Sequence, residues 1–115
     1  MIMIKDTQNR PETPVIAQVS YSEGAGFGAV GESEHRQIPV FAPRGICYRP
    51  CEGDNLLLIP VDGADVCAGV LSGENLEPGE LALSSAGGAR ILLKKNGDVV
   101  INGVVISRDG VVTPP

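Results

Sequence analysis

The stretch "NGDVVINGVVISRDGVV", residues 96–112, places eight Val and Ile in seventeen positions, in three short runs set off by glycine. Successive side chains of a strand point to opposite faces, so a strand with one wet face alternates apolar and polar residues. The "VVI" runs at 99–101 and 104–106 do not alternate, and each therefore needs cover on both faces. Strands this short make at best a marginal hairpin in isolation. Burying one Val or Ile side chain is worth about 1.5–3 kcal/mol, so leaving all of them in water forfeits on the order of 10 kcal/mol. It also creates a sticky patch of the kind monomers avoid. Aligned on its turns, the stretch is a rough repeat: N-G-D-V-V-I from Asn96, N-G-V-V-I-S from Asn102 and R-D-G-V-V-T from Arg108. Gly97, Gly103 and Gly110 are expected in turns with positive φ, which glycine adopts without a Cβ penalty. Asn96-Gly97 and Asn102-Gly103 are strong turn dipeptides in their own right.

Three arrangements supply cover for such a tail. It can fold back on the preceding domain, stack as rungs of a solenoid, or wind around copies of itself. A single-chain solenoid needs more rungs and capping than residues 80–115 provide. Self-association is favoured over folding back. Identical tails around a common axis pack Ile91, Leu93, Val99, Val100, Ile101, Val104, Val105, Ile106 and Val111 against one another. Lys94, Lys95, Asp98, Arg108 and Asp109 are then free to point outward.

The preceding residues read as short strands. Residues 1–14 form a polar arm with Pro11 and Pro14 and no periodicity. "VIAQVSY" (15–21) alternates as a strand, a short strand is expected at Phe27–Val30, and "RQIPVFA" (36–42) reads as an edge strand broken by Pro39. "GICYR" (45–49) reads as another strand between prolines, and "NLLLIPV" (55–61) with "VCAGVLS" (66–72) as a hairpin around the turn at 62–65. With 15 Gly, 9 Pro and no amphipathic helix pattern in 115 residues, the expected class is all-β. An OB-fold-like barrel over 15–79 is the favoured architecture, and half of a β-sandwich fits the same strand pattern nearly as well. "GENLEPGE" (73–80) has a linker's composition, and "LALSSAGGARILLKK" (81–95) reads as two strands around Gly87-Gly88.

Several functions are disfavoured. A formal net charge of −5 opposes a phosphate-binding surface, which draws its affinity from Lys and Arg. Two Tyr, two Phe and no Trp leave little for stacking on nucleic-acid bases. No signal peptide or membrane-spanning apolar run is seen, so the chain is expected to be made soluble and to stay in the cytoplasm unless other machinery exports it. Catalytic motifs are missing, a single His is available for chemistry near neutral pH, and Ser72, Ser84 and Ser85 have no evident base. Asp54, Asp62 and Asp65 crowd two turns, where carboxylates usually bond the backbone. Cys47, Cys51 and Cys67 read as reduced, packed thiols, with a zinc site built from them and His35 as the lesser reading. No catalytic residue, cofactor or metal is expected.

Two segments, "PRGICYRPCEGDNLLLIPVDGADVCAGVLSG" (43–73) and "GELALSSAGGARILLKKNGDVVINGV" (79–104), together resemble the baseplate spike protein, or baseplate assembly protein V type, of Mu-like contractile-tailed phages and related injection systems. The shared features are a Pro-x-Gly opening, a strand ending in Pro, and a Gly-Asp-like turn leading into a Gly-Val-hydrophobic strand. A GE-hydrophobic-Ala-Leu strand and an apolar run closing on N-G follow. The likeness spans roughly residues 36–106.

The resemblance implies a homotrimer. Its barrel docks to the tail hub, and residues 80–115 form an intertwined trimeric β-helix or β-prism spike, driven through the target cell envelope when the sheath contracts. It places the protein in the tail baseplate of a virion or injection particle assembled in the bacterial cytoplasm. Several members of that family bind iron at the apex through a His-x-His pair. The tail here has no His, so no apical metal is expected, and the short spike leaves room for a separate tip-capping protein. The rival reading is an OB-fold binding module for oligosaccharide or nucleic acid, with the tail as an oligomerisation segment.

Overall fold

The computed structural model describes residues 13–24, 26–31 and 34–115. The described residues form strands and turns and contain no helix. The chain is all-β, with two antiparallel five-stranded sheets in two separate units, Met1–Ser72 and Gly73–Pro115. Residues 1–12 of the expected N-terminal arm lie outside the described residues. The segment 73–79, expected at the end of the barrel, groups with the second unit. There Glu74 meets Arg90 Nη1 through both carboxylate oxygens at 2.7 and 2.8 Å, and Glu77 meets Lys95 Nζ at 3.0 Å.

In the first unit, β1 (Val15–Glu23), β2 (Gly26–Val30), β3 (Glu34–Arg36), β4 (Asn55–Val61) and β5 (Ala64–Val70) lie in the order β3-β2-β1-β4-β5. The fourth strand thus returns by a long connection to lie beside the first, which is the Greek key order. Alternation sets the inner face. Ala17 and Val19 of β1 are buried while Ile16 and Gln18 are not. Leu56 and Leu58 of β4 are wholly buried while Leu57 between them is exposed. With Phe27, Ala29, Ile38 and Cys67 they make the core. The β4–β5 hairpin turns on Asp62-Gly63, at φ 49° and 82°, the pair of left-handed residues that a two-residue type I′ turn requires.

The outer edge of β5 is joined to the segment that follows β3. Val40 stands opposite Cys67 in a parallel bridge. The Cys67 N–H donates to Pro39 C=O at 2.8 Å and the Phe41 N–H donates to Cys67 C=O at 2.9 Å. Beside this seam, His35 Nδ1 of β3 lies 2.6 Å from Asp65 Oδ2 of β5, both side chains being largely enclosed.

Two sequence expectations are corrected. "RQIPVFA" is not one strand: Arg36 ends β3, Gln37 turns the chain at φ 50°, and only Val40 pairs again, with the other neighbour. "GICYR" is no strand at all. Gly45, at φ 87°, opens it with a turn, the Ile46 N–H donating to Pro43 C=O at 3.0 Å. Arg49 then holds the loop by its side chain. Nε donates to Ser22 Oγ at 3.1 Å, Nη1 to Gly24 C=O at 2.7 Å, and Nη2 to Glu23 C=O at 2.9 Å and to Gly26 C=O.

In the second unit, β6 (Leu81–Ser84), β7 (Arg90–Leu93), β8 (Val99–Ile101), β9 (Val104–Ile106) and β10 (Val112–Thr113) form a meander in which every neighbour in the sheet is the neighbour in sequence. None of its residues is buried. All buried apolar side chains of the described residues belong to the first unit.

Leu58→Ala is expected to destabilise the first unit by about 2–5 kcal/mol, whereas Leu57→Ala, one residue away on the outer side, costs under about 1 kcal/mol. Urea unfolding of the two variants, followed by the signal of the first unit, checks this.

Candidate functional site

The ladder of the second unit sorts its side chains onto two faces. Leu81 pairs with Leu93 and Leu83 with Ile91; Ile91 pairs with Ile101 and Leu93 with Val99; Val99 pairs with Ile106 and Ile101 with Val104; Ile106 pairs with Val112. Cross-strand partners share a face. One face is therefore Leu81, Leu83, Ile91, Leu93, Val99, Ile101, Val104, Ile106 and Val112, with no polar side chain among them. Leu81 is 54 % exposed, Leu83 46 % and Ile101 40 %, although the positions beside each are apolar. The second unit, a single sheet, has no second layer of its own over this face.

The opposite face has one apolar line, Ala82, Leu92, Val100 and Val105, ending at Thr113. Arg90 and Asn102 flank it, and a shallow depression lies among Gly88, Arg90, Leu92, Val100, Asn102 and Gly103. Of the residues expected to pack together, Ile91, Leu93, Val99, Ile101, Val104 and Ile106 thus stand on the first face. Val100 and Val105 stand on the other. Val111 precedes β10 in a turn and is 63 % exposed. Leu81, Leu83 and Val112 complete the apolar face beyond the residues expected from the sequence. The signal for Leu81 and Leu83 is the alternation of "LALS", in which Ala82 and Ser84 take the other side.

The turns carry the polarity. Ser85–Ala89, Lys94–Asp98 and Ser107–Val111 share one geometry. In each, the fourth residue's N–H donates to the first residue's C=O, at 3.1, 3.0 and 2.8 Å, and the first residue's N–H donates to the fifth residue's C=O, at 2.9, 2.9 and 2.8 Å. The fourth residue is Gly88, Gly97 or Gly110, at φ 98°, 98° and 89°. This is the three-residue hairpin with a left-handed glycine at the bulge. Asn102-Gly103, at φ 48° and 88°, is instead a two-residue type I′ turn, so the two Asn-Gly pairs do different work. Asn96 Oδ1 accepts the Asp98 N–H at 2.9 Å within its own turn. Asn102 Oδ1 accepts the Arg90 N–H at 2.8 Å, closing the end of the β7–β8 pair. Lys94, Lys95, Asp98, Arg108 and Asp109 all sit in turns rather than along strands, and the stem of Arg108 lies across Gly97.

Among the described residues the candidate chemical side chains are dispersed. No group of three or more His, Cys, Asp or Glu is placed to hold a metal ion. Cys47 and Cys51 are exposed while Cys67 is buried, and His35 faces Asp65. An open cleft of about 530 Å³ in the first unit is lined by Gly26, Phe27, Gln37, Ile38, Pro39, Tyr48 and Arg49, but Arg49 is already engaged by backbone carbonyls. Burial, and then the neighbouring Cys67 thiol, push the Tyr48 hydroxyl's pKa up. Ser84 ends β6 and Ser85 opens the Gly87-Gly88 turn. Asp54 Oδ2 accepts the Cys51 N–H at 2.8 Å, a turn role.

Gly103→Val places a β-branched side chain at φ 88°, with its Cβ 3.1 Å from Pro115 Cβ; a left-handed L-residue costs about 1–2 kcal/mol before any crowding. Gly87→Ala, with nothing nearer its Cβ than Ser85 Oγ at 4.0 Å, is expected to be neutral within about 0.5 kcal/mol. Thermal unfolding of the pair should separate them, Gly103→Val melting lower. Set against known proteins, the chain matches no family model and no curated protein.

Proposed function

We propose that this chain is a non-enzymatic structural spike at the tip of a contractile phage tail or related injection device, acting as a homotrimer. The observation that carries the reading is the nine-residue apolar face of the second unit, over which that unit has no second layer. A soluble sheet needs a second layer over such a face, and copies of the same sheet supply one of matching shape and polarity. Three copies around an axis bring the faces together, and the turns with their charges remain at the margins. Since each chain keeps its own strands adjacent, the meander favours a prism of three packed sheets over strands that alternate between chains.

The first unit, in this reading, is the OB-fold-like barrel. Five strands in Greek key order with the Val40–Cys67 bridge across the seam support it. The barrel docks to the tail hub. The spike transmits force to the target envelope, a role that rewards slow, concerted unfolding of three chains.

Light scattering after size exclusion should give three times the 12.0 kDa chain mass. Ile101→Asp puts a carboxylate into the shared face and is expected to dissociate the trimer; a full-length protein at one chain mass, or an intact trimer in this variant, would sink the reading.

A further inference from the structure

The cleft of the first unit holds chemistry that the fold does not use. Three segments meet around its volume of about 530 Å³: the start of β2, residues 37–39 after β3, and Tyr48 with Arg49 in the next loop. Phe27 and Ile38 are core residues whose edges reach the cleft, and exposed Pro39 extends them into an apolar wall. The Arg49 guanidinium donates to Ser22 Oγ and to the carbonyls of Glu23, Gly24 and Gly26. All these acceptors are neutral, and no carboxylate of the described residues pairs with it. Nη1 makes a single bond and so keeps one N–H to give. A fixed cation without a counter-charge therefore stands at the cleft. Gln37 stands beside it in the left-handed region, at φ 50°, which sterics disfavour for a residue with a Cβ. Asp62 and Asn102, the other described non-glycine residues at positive φ, open type I′ turns; Gln37 does not. Strain of this kind gathers at functional sites. Here the Gln37 N–H bond to Phe27 C=O, at 3.1 Å, holds the residue against the cleft.

We infer that this cleft receives an extended acidic segment of a partner protein, with one carboxylate on Arg49 and an adjoining aliphatic side chain on the wall of Phe27, Ile38 and Pro39. The inference deepens the docking role proposed above and rests on that reading for there being a protein partner. Charge selects the occupant. The described Lys and Arg of the first unit are Arg36, Arg44 and Arg49, all within residues 36–51, a stretch that holds no Asp or Glu. In a chain of net charge −5, this is the region that an anion approaches with least repulsion. A polyphosphate draws its affinity from many cations together. One fixed guanidinium suits a single carboxylate, which it meets through a charge-assisted hydrogen bond. The apolar wall then calls for a side chain next to that carboxylate, as a peptide provides. The hydrogen bonds that hold Arg49 before binding lessen what must be ordered when the partner arrives.

The test is binding of a random octapeptide library, acetylated and amidated so that only side chains carry charge, to the full-length protein. Retained peptides are expected to set Asp or Glu beside Leu, Ile or Val. Changing that acidic residue to its amide should weaken a retained peptide about tenfold or more. Gly26→Leu should weaken it as much, because the new side chain enters the cleft lining; its Cβ meets nothing nearer than Gln37 Cγ at 3.8 Å. Hydrogen exchange of the unsubstituted protein with the peptide bound locates the contact whether or not that variant folds, and slower exchange is expected at residues 26–27, 37–38 and 48–49. No retained peptide, retention without acidic preference, equal binding to a folded Gly26→Leu protein, or slowing confined to other residues overturns the inference. The particle mass, measured alongside, separates the two readings. A trimer that fails these tests overturns this inference alone, and a monomer that passes them overturns the spike while the cleft assignment stands.

Discussion

A single layer of five short strands has no interior. In the second unit Leu83, Ile91, Ile101 and Val104 lie in one cross-strand row, and the space that would be a core in a two-layer domain lies outside this unit. Everything else in this unit adjusts to that. With one face wholly apolar, most of the charge is carried by the turns. Lys94, Lys95, Asp98, Arg108 and Asp109 are all found there. With no core to fix the register, the turns must do so. Three glycine-bulge hairpins of one geometry and one type I′ turn set the pairing from β6 through β10 by backbone geometry alone.

The first unit solves the opposite problem. It has a core, built on Leu56, Leu58, Val19 and Cys67, and its exposure lies in the sheet edges that five strands leave at β3 and β5. The bridge at Cys67 satisfies backbone groups on the β5 edge that would otherwise template pairing with another chain. The same residue fills the core with its side chain, so core packing and edge closure meet at one position. His35 and Asp65 tie β3 to β5 beside it. The Arg49 guanidinium does a comparable job for the β1–β2 hairpin, replacing the backbone ladder that "GICYR" does not form.

Hydrophobic alternation and turn dipeptides make most of this legible. β1, the β4–β5 hairpin, the Gly87-Gly88 hairpin and the non-alternating valine runs can be read from residue types because local rules determine them. What the residue types leave open depends on partners far along the chain. "NLLLI" looks uniformly buried, yet Leu57 faces outward since strand geometry, not composition, assigns its side. "RQIPVFA" has the pattern of a strand, but Gln37 breaks it so that Arg36 and Val40 serve opposite ends of the sheet. A run of β-branched residues groups Val100 and Val105 with Val99 and Val104 without saying which of them share a face; only the register of β7, β8 and β9 does. The shared geometry of the Lys94–Asp98 and Ser107–Val111 turns is partly visible in the glycine spacing. The different role of Asn102 is not, since Asn-Gly serves both turn types.

A sheet like that of the second unit has two ways to associate, by its faces or by its edges. Edge addition extends the ladder and tends toward open growth. Here the edges offer little for it. β10 is two residues long, Val112–Thr113, and continues into Pro114 and Pro115, which have no N–H to donate. β6 provides four residues, Leu81–Ser84. Two mismatched edges yield few ladder bonds, each worth about 0.5–1.5 kcal/mol net. Face packing engages nine aliphatic side chains, each worth about 1.5–3 kcal/mol if fully buried. Association through the faces is therefore the more stabilising of the two. Packing three such faces about an axis also uses them up, so that association ends in a closed particle instead of a fibre.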